Sequence, residues 1–328
     1  MGAIMKTTKF IAGAAILIAV TVSSLFARKT PSEKDGKIKI VTTIFPEYDW
    51  TREILGDKIG TVDLTLLLNN GVDLHSYSPS VKDIAKISEC DIFIYGGGES
   101  DEWVEDVLGK AKNKNLRTIN LLEVLGDKAK TEEIVEGMQI DDDDRDDDEI
   151  EYDEHVWLSL KNAQIFCTEI AGALCEKDAQ NKAAYKANLD AYLKKLSVLD
   201  GQYAQAVKSA RTKTLLFGDR FPFRYLVDDY GIRYYAAFLG CSAESEASFK
   251  TVVFLAEKLD ELGLKNVCQI ETGNGKIART IIASSKSKNA AVLTLDSMQS
   301  TTAGKIKKGA SYLGTMENNL SVLKTALD

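Results

Sequence analysis

The sequence predicts an α/β protein with two lobes, each a mostly parallel sheet flanked by helices, joined by one long rigid helix. Short apolar strands alternate with helical segments from Lys37 onward, and the same alternation returns after Lys213. Strands that alternate with helices favour parallel sheets with helices packed on them. With 328 residues, of which 45% are hydrophobic, the chain is long enough for two such units.

The first lobe, expected over residues 37–178, begins with three strands and two helices. Ser78 is expected to cap the second helix and Pro79 to open it, because a proline at the first helical position loses no hydrogen bond. The expected strands are 38–43, 62–68 and 91–95, and the expected helices are 46–54 and 79–88.

The second lobe, expected over residues 211–328, repeats this pattern, and a helix over 179–210 is expected to connect the lobes. At 1.5 Å per residue that helix would be on the order of 45 Å long, enough to limit how far the lobes move. Its apolar stripe is formed by Leu189, Leu193, Leu196, Leu199, Tyr203 and Val207. The second lobe's expected strands are 215–217, 234–238, 267–270 and 292–295, and its expected helices are 221–230, 248–262 and 276–287.

The first 36 residues are interpreted as a signal peptide or N-terminal anchor followed by a linker. Lys6 and Lys9 precede an apolar stretch over residues 10–26, which is the order of a basic region and a hydrophobic region in an export signal. The stretch is at the short limit for a membrane-spanning helix, so cleavage and anchoring both stay open. Either alternative places the protein at the extracellular face of the cytoplasmic membrane or in the periplasm.

The charge of the chain excludes one class of partner and predicts an acidic loop. The formal net charge of −8 argues against nucleic acid, which needs a basic surface. Seven aspartates lie between Asp141 and Asp148, interrupted only by Arg145, and predict a disordered acidic loop over about 131–152. That loop is either a solvated linker or a weak collector of cations.

The five cysteines are scattered without a CxxC pair, so most are interpreted as small buried hydrophobes and any disulfide pairing stays open.

The chain has only two histidines, and both lie at loop edges. His75 follows an apolar strand and precedes a helix, and His155 comes directly after the acidic run. In open α/β sheets, ligands bind near such strand and helix ends. Imidazole is a good ligand for zinc and other first-row ions, and carboxylates lie nearby in the sequence. Each histidine alone is more often structural, so the metal-site hypothesis depends on their context.

At these residues the sequence resembles the metal-binding subunits of zinc and manganese ABC importers, the ZnuA-like or TroA-like solute-binding proteins. The similar passages extend over nearly the whole chain after the N-terminal segment, and the two histidines fall on two of the family's ligand positions. The passages are 45–50 (FPEYDW), 71–79 (GVDLHSYSP), 91–99 (DIFIYGGGE) with Trp103, 153–158 (DEHVWL), 240–248 (GCSAESEAS), 295–298 (LDSM) and 312–327 with Met316 and Asn319.

The resemblance implies a site in the cleft between lobes, with His75 and His155 joined by Asp296 on the family's carboxylate position. The family's third ligand is usually histidine and sometimes glutamate, and no third histidine exists here. Asp219, which is expected to follow a strand and precede a helix opened by Pro222, is the favoured replacement, and Glu244 is the alternative. Asp219 could instead cap that helix or pair with Arg220.

The expected function is therefore capture of a divalent transition metal, Zn²⁺ favoured and Mn²⁺ as the alternative, for delivery to the membrane permease of an ABC importer. The missing histidine and the acidic loop shift the expectation somewhat toward manganese. We expect a monomer. We do not expect an enzyme, because neither HExxH nor GxSxG occurs in the sequence. The alternative function is a metal-binding surface adhesin or partner-binding module.

Overall fold

The computed structural model describes residues 1–2, 36–139, 151–242 and 246–328. Contacts divide the chain into Met1–Gly36 and a compact unit Lys37–Asp328, and the fold below is that of the second unit. The expected export segment, the aspartate run and Glu244 lie outside the described residues. Within the described part, no helix is long and apolar enough to cross a membrane.

The first sheet has four parallel strands in the order β2-β1-β3-β4. Its inner strand β3 is buried along its whole length, because helices cover both faces of a parallel sheet. The strands are β1 (Ile38–Thr42), β2 (Val62–Leu66), β3 (Ile92–Tyr95) and β4 (Arg117–Asn120).

The second sheet repeats this arrangement with four parallel strands in the order β6-β5-β7-β8. Its register along β5 and β6 shifts between Phe217 and Arg220, so the strand carries an irregularity at Gly218 and Asp219. The strands are β5 (Thr214–Phe221), β6 (Arg233–Leu239), β7 (Asn266–Ile270) and β8 (Ala291–Leu295).

Helices connect the strands, and the longest of them, α6, has 28 residues. The helices are α1 (Phe45–Leu55), α2 (Val81–Glu89), α3 (Trp103–Gly109), α4 (Leu121–Leu125), α5 (Leu160–Lys177), α6 (Lys182–Ser209), α7 (Arg224–Tyr230), α8 (Phe249–Glu261), α9 (Lys276–Ser284), α10 (Ala303–Lys307) and α11 (Tyr312–Ala326). The expected two-lobed α/β fold and its long connecting helix are thereby confirmed.

The long helix α6 packs against α1 and α5, which precede it, and against α11 at the end of the chain. Tyr203 on α6 donates its hydroxyl to the carbonyl oxygen of Met316 at 2.6 Å, and both side chains are fully buried. Tyr312, at the start of α11, packs edge-on against Trp50 of α1. The apolar core is therefore continuous across the connecting helix, and the exact lobe bounds at 178 and 211 stay a prediction.

Two local predictions were wrong. Helix α2 begins at Val81, and its cap is Ser80, whose hydroxyl accepts from the Asp83 N–H, so Pro79 lies before the helix. Strand β5 extends to Phe221 instead of ending at Phe217, and α7 begins only at Arg224. Asp219 is therefore inside an irregular strand and does not cap a helix.

Residues 131–139 also differ from the expected disordered loop. Thr131 forms a bridge with Tyr152, and the Gln139 N–H donates to the carbonyl oxygen of Ala237 on β6 at 2.9 Å. The Gln139 side chain accepts from the Ser248 N–H at 2.7 Å. The end of this segment is therefore held against β6 by one backbone hydrogen bond and against the start of α8 by one side-chain hydrogen bond.

Candidate metal centre

His75 lies in a 3-10 turn, Leu74–Ser76, that follows β2. Asp73 caps this turn, since its carboxylate accepts from the His75 N–H at 3.2 Å. The same carboxylate pairs with Arg220 of β5 at 2.5 Å, across the cleft between the sheets. Burial opposes ionisation of Asp73, but the Arg220 hydrogen bond and charge hold its pKa below the usual value. The histidine turn is therefore tied to the second sheet by an ion pair.

His155 is fully buried and is oriented by the residue two positions before it. The Asp153 carboxylate accepts from the His155 N–H at 2.9 Å and lies 3.0 Å from Nδ1 of its ring. Tyr225 fixes Asp153 in turn by donating its hydroxyl to the Asp153 carbonyl oxygen. Gly240 packs against the ring as well, and an added Cβ there would lie 2.8 Å from Cε1 and 3.1 Å from Nδ1. The ring is therefore fixed in one position.

The two imidazole rings meet with their Nε2 atoms 3.2 Å apart. On the opposite side of His75, Nδ1 lies 2.9 Å from the Glu154 carboxylate and 2.9 Å from the Ser100 hydroxyl. Because each Nδ1 faces a carboxylate, the satisfied tautomer of each ring has its proton on Nδ1. Both Nε2 lone pairs then face each other, an arrangement that a cation between them stabilises.

Two further polar side chains reach this pair. Among the described residues, His75, His155 and Cys241 form a group whose nitrogen and sulfur atoms all lie within 4.8 Å of one another. Gln299, which is 2% exposed, places its amide nitrogen 3.3 Å from Nε2 of His75. Its amide oxygen is buried and makes no hydrogen bond with the described residues.

Three of these side chains, those of His75, Cys241 and Gln299, lie in loops that follow parallel strands, and ligands bind beyond such strand ends in open α/β sheets. His75 follows β2, Cys241 comes two residues after β6, and Gln299 comes four residues after β8. The cleft above them has a volume of about 520 Å³ and is lined from both sheets, by Asp73, Ser100 and Glu99 on one side and Asp219, Arg220 and Lys276 on the other. The centre lies at the base of this cleft.

The structure does not bring the two predicted aspartate ligands to the histidine pair. Asp219 lines the cleft, but its carboxylate accepts from the N–H groups of Arg220 and Ile270 at 2.9 and 3.2 Å. Asp296 accepts from the Met298 N–H at 2.8 Å and shapes the turn that leads to Gln299. Neither belongs to the group that contains both histidines and Cys241. As ligands they stay predictions that this arrangement does not favour.

Burial and neighbouring charges set the protonation of the groups around the centre. Burial raises the pKa of Glu154, but the hydrogen bond and charge of His75 outweigh it and hold that pKa below the usual value. Burial raises the pKa of the Cys241 thiol well above its usual value, and the negative charges of Glu154 and Glu132 act in the same direction. Without a bound cation, the cysteine is therefore a neutral thiol.

Sequence reasoning missed Cys241 and Gln299. No sequence pattern singles out Cys241 among the five cysteines, most of which are interpreted as small buried hydrophobes, although it lies in the passage 240–248 that carries part of the family resemblance. Gln299 lies just beyond the passage 295–298, and no sequence signal distinguishes it from a surface glutamine. Met298 adopts a positive φ of 63°, which turns the chain so that Gln299 enters the centre.

Two lobes on one long helix, with paired imidazoles at the base of the cleft, define the class of metal-binding solute-binding proteins. Over residues 40–326 the chain matches the family described as zinc-uptake complex component A, periplasmic. The chain belongs to this zinc-uptake family. Its expected membership is therefore confirmed.

Two relatives of this chain are named for zinc binding or zinc uptake. The chain is 31% identical over 319 residues to the zinc-binding lipoprotein AdcA of Streptococcus pneumoniae, covering 95% of this chain and 60% of that protein. It is 28% identical over 322 residues to the high-affinity zinc uptake system protein ZnuA of Bacillus subtilis, covering 97% and 96%. The chain thus spans about 60% of the length of AdcA and almost all of the Bacillus protein.

Solved structures share the fold. The Zn(II)-bound ZnuA-like domain of Streptococcus pneumoniae AdcA superposes with a TM-score of 0.69 at 28% identity, covering 89% of this chain and 100% of that domain. The laminin-binding protein Lmb of Streptococcus agalactiae, described as having adhesin and metal-transporting activity, superposes with a TM-score of 0.69 at 25% identity, with the same coverage.

Proposed function

We propose that this protein captures a divalent transition metal ion between His75 and His155, with zinc favoured and manganese as the alternative, and delivers it to an ABC importer. The observation that carries the proposal is the 3.2 Å separation of the two Nε2 atoms. Two nitrogens bound to one tetrahedral zinc ion at about 2.0–2.1 Å would be separated by about 3.3 Å. The rings are therefore spaced for one shared ion.

The surroundings stabilise a bound cation without large rearrangement. Asp153 and Glu154 each hold one Nδ1, which fixes ring orientation and makes the opposite nitrogen a better ligand. Their two negative charges also offset the charge of the ion at a site where His155 and Gln299 are almost fully buried. Residues from both sheets line the cleft, so a bound metal ion would hold the two lobes together, and a membrane permease would distinguish this metal-bound form from the metal-free one.

The family supports a location and a partner for this protein. Its description names a periplasmic zinc-uptake component, and the Streptococcus pneumoniae relative is named a lipoprotein. These descriptions support a location outside the cytoplasmic membrane. We further propose that the protein acts as a monomer, that its partner is the permease of an ABC importer, and that its N-terminal segment is an export signal or anchor. Metal is cargo here, so we assign no catalytic step to the centre.

Metal analysis of the full chain beside His75→Ala tests this function. We expect one tightly bound Zn²⁺ per chain in zinc-buffered chelator solution, which removes ions held weakly by the aspartate run. His75→Ala should weaken binding by more than the about 10- to 100-fold that loss of an outer partner costs. Lys276→Ala, at the exposed rim of the same cleft, is the matched control and should bind like wild type. Tight zinc retention by His75→Ala would exclude the site.

A second function, adhesion, is suggested by the likeness to Lmb, whose description combines adhesin and metal-transporting activity. Immobilised laminin is the direct probe, with wild type and His75→Ala compared side by side. Attachment that persists in His75→Ala would assign adhesion to a surface outside the metal centre. Absence of attachment in wild type would leave metal capture as the function.

A further inference from the structure

We propose that Cys241 and Gln299 complete the coordination shell, so that two imidazoles, one thiolate and one amide oxygen hold the metal. The proposal rests on the metal-capture function above. It assigns the two remaining ligand positions, because Asp219 and Asp296 do not belong to the group that contains both histidines. It also changes the expected metal preference, because sulfur and amide oxygen replace two carboxylates.

Cys241 is placed by the strand that carries it. Strand β6 ends at Leu239, and Gly240 passes so close to the His155 ring that the next side chain enters the space beside the two Nε2 atoms. The sulfur lies within 4.8 Å of both imidazole nitrogens, whereas sulfur and nitrogen on one tetrahedral zinc would be about 3.6 Å apart. A shift of about 1 Å therefore suffices to bring the sulfur into the shell. On binding, the thiol releases its proton to solvent as the metal–sulfur bond forms.

Gln299 supports the proposed coordination shell independently of Cys241. Its side chain is buried, its amide nitrogen contacts His75, and its amide oxygen has no hydrogen-bond partner among the described residues. An unpaired buried acceptor normally costs about 1–3 kcal/mol. Rotating the amide by half a turn exchanges the two atoms and aims the oxygen at the space between the rings. The amide thus donates to the free Nε2 lone pair before binding and ligates the ion afterwards.

The turn that carries Gln299 is rigid enough to present a ligand. The Met298 N–H donates to Asp296, and Ser297 donates both its N–H and its hydroxyl to Glu271, at 2.7 and 2.9 Å. Gln299 therefore has little freedom other than rotation of its amide. Ligands held by such outer hydrogen bonds bind metals more tightly than mobile ones.

The proposed shell favours zinc over manganese. Thiolate is a soft ligand that suits zinc, whereas manganese prefers carboxylate, carbonyl and water oxygens. Two carboxylates in the shell would have left that preference to geometry and metal supply. With Cys241 as a ligand, the chain itself discriminates against manganese.

Substitution with Co²⁺ tests the thiolate, because a cobalt–sulfur bond gives an intense near-ultraviolet charge-transfer band that nitrogen and oxygen ligands do not give. We expect this band in the full-chain wild type at one Co²⁺ per chain. Cys241→Ser should lose the band, and Cys175→Ser, which changes the other partly exposed cysteine, should keep it. One bound Co²⁺ without the band in wild type would overturn the thiolate ligand and leave the capture function standing.

Zinc affinity in chelator competition tests the amide. Gln299→Leu should weaken binding by at least about tenfold, while Gln299→Glu, which keeps an oxygen ligand, should bind at least as tightly as wild type. Gln202→Leu, on the exposed face of α6, is the control and should have no effect. Wild-type affinity in Gln299→Leu, or a tenfold loss in Gln299→Glu, would overturn the amide ligand. If wild type fails to bind any ion stoichiometrically, the capture function fails, and this proposal fails with it.

Discussion

The indole N–H of Trp157 donates to the carbonyl oxygen of Ser297 at 2.8 Å, and both residues are fully buried. This hydrogen bond joins the segment after His155 to the turn that carries Gln299, although the two residues are 140 positions apart. Tyr312 strengthens the junction by donating its hydroxyl to the Trp157 carbonyl oxygen at 2.7 Å. One tryptophan therefore sets the distance between two sides of the metal centre.

Trp157→Phe should destabilise the protein and weaken zinc binding together. The substitution leaves the Ser297 carbonyl without its donor, which costs about 1–3 kcal/mol, and frees the turn before Gln299. Urea unfolding of the metal-free protein and chelator competition measure the two effects. Trp50→Phe is the control, since Trp50 is equally buried but its indole N–H has no hydrogen-bond partner among the described residues. It should lose stability while keeping wild-type affinity; equal affinity in both variants would contradict the role of Trp157.

Glu154→Gln should lower zinc affinity by about 10- to 100-fold while the ion still binds at one per chain. The neutral amide no longer fixes the proton on Nδ1 of His75, and one of the two charges behind the rings is lost. Isothermal titration with chelator-buffered zinc measures the change. Glu99→Gln removes the same charge from an exposed residue at the cleft, and it should reduce affinity by less than about twofold because exposed charges are screened. A similar loss in both variants would show that only overall charge matters.

Asp219→Asn and Asp296→Asn should change zinc affinity far less than His75→Ala does. Asn keeps an acceptor for one of the two N–H groups that Asp219 binds, so part of the cost should appear as lower stability. Chelator competition and urea unfolding, run on the same samples, separate the two effects. Loss of zinc in Asp219→Asn comparable with that in His75→Ala would restore the aspartate to the coordination shell.

The sequence predicted the long helix and seven of the eight described strands, because apolar periodicity is a local property; it did not predict β4, whose four residues show no such periodicity. It also led to both histidines, since their loops resemble a known family. It could not place Asp219, because the strand irregularity at Gly218 depends on close packing against Ala278, whose backbone lies 2.6 Å from where a Cβ would be. It could not identify Gln299, which the positive φ of Met298 turns inward. A positive φ is usually predicted from a glycine in the sequence, and position 298 is a methionine. Both missed features arise from tertiary packing.

Gly240→Ala should weaken zinc binding by at least about tenfold with little loss of secondary structure. The added methyl group would lie 2.8 Å from Cε1 and 3.1 Å from Nδ1 of the His155 ring, so the ring must leave the position in which Nδ1 contacts Asp153. Chelator competition measures the affinity, and far-ultraviolet circular dichroism checks the fold. The control is Gly201→Ala on α6, where an added methyl group meets nothing within 4 Å. That variant should keep its affinity and gain up to about 1 kcal/mol of stability; unchanged affinity in Gly240→Ala would show that the ring position is not restrictive.

Asp49 should make the protein less stable as the pH rises from about 4 to about 6. Burial raises the pKa of Asp49 from 3.8 to about 6, although the Tyr312 N–H and Arg52 both lower it. Between these values the folded chain holds a proton that the unfolded chain has released, so stability falls with rising pH. Two pKa units correspond to about 3 kcal/mol at most.

Asp49→Asn removes this titration and keeps an oxygen to accept from the Tyr312 N–H. Unfolding free energies from urea titrations at pH 4, 5 and 7, without metal, should show wild type losing up to about 3 kcal/mol relative to the variant. Asp57→Asn, an exposed aspartate on the turn after α1, is the control and should leave the pH dependence of wild type unchanged. The sign of the change in unfolding free energy tests this prediction. If wild type gains stability relative to Asp49→Asn as the pH rises over this range, Arg52 outweighs burial and holds Asp49 ionised in the folded protein.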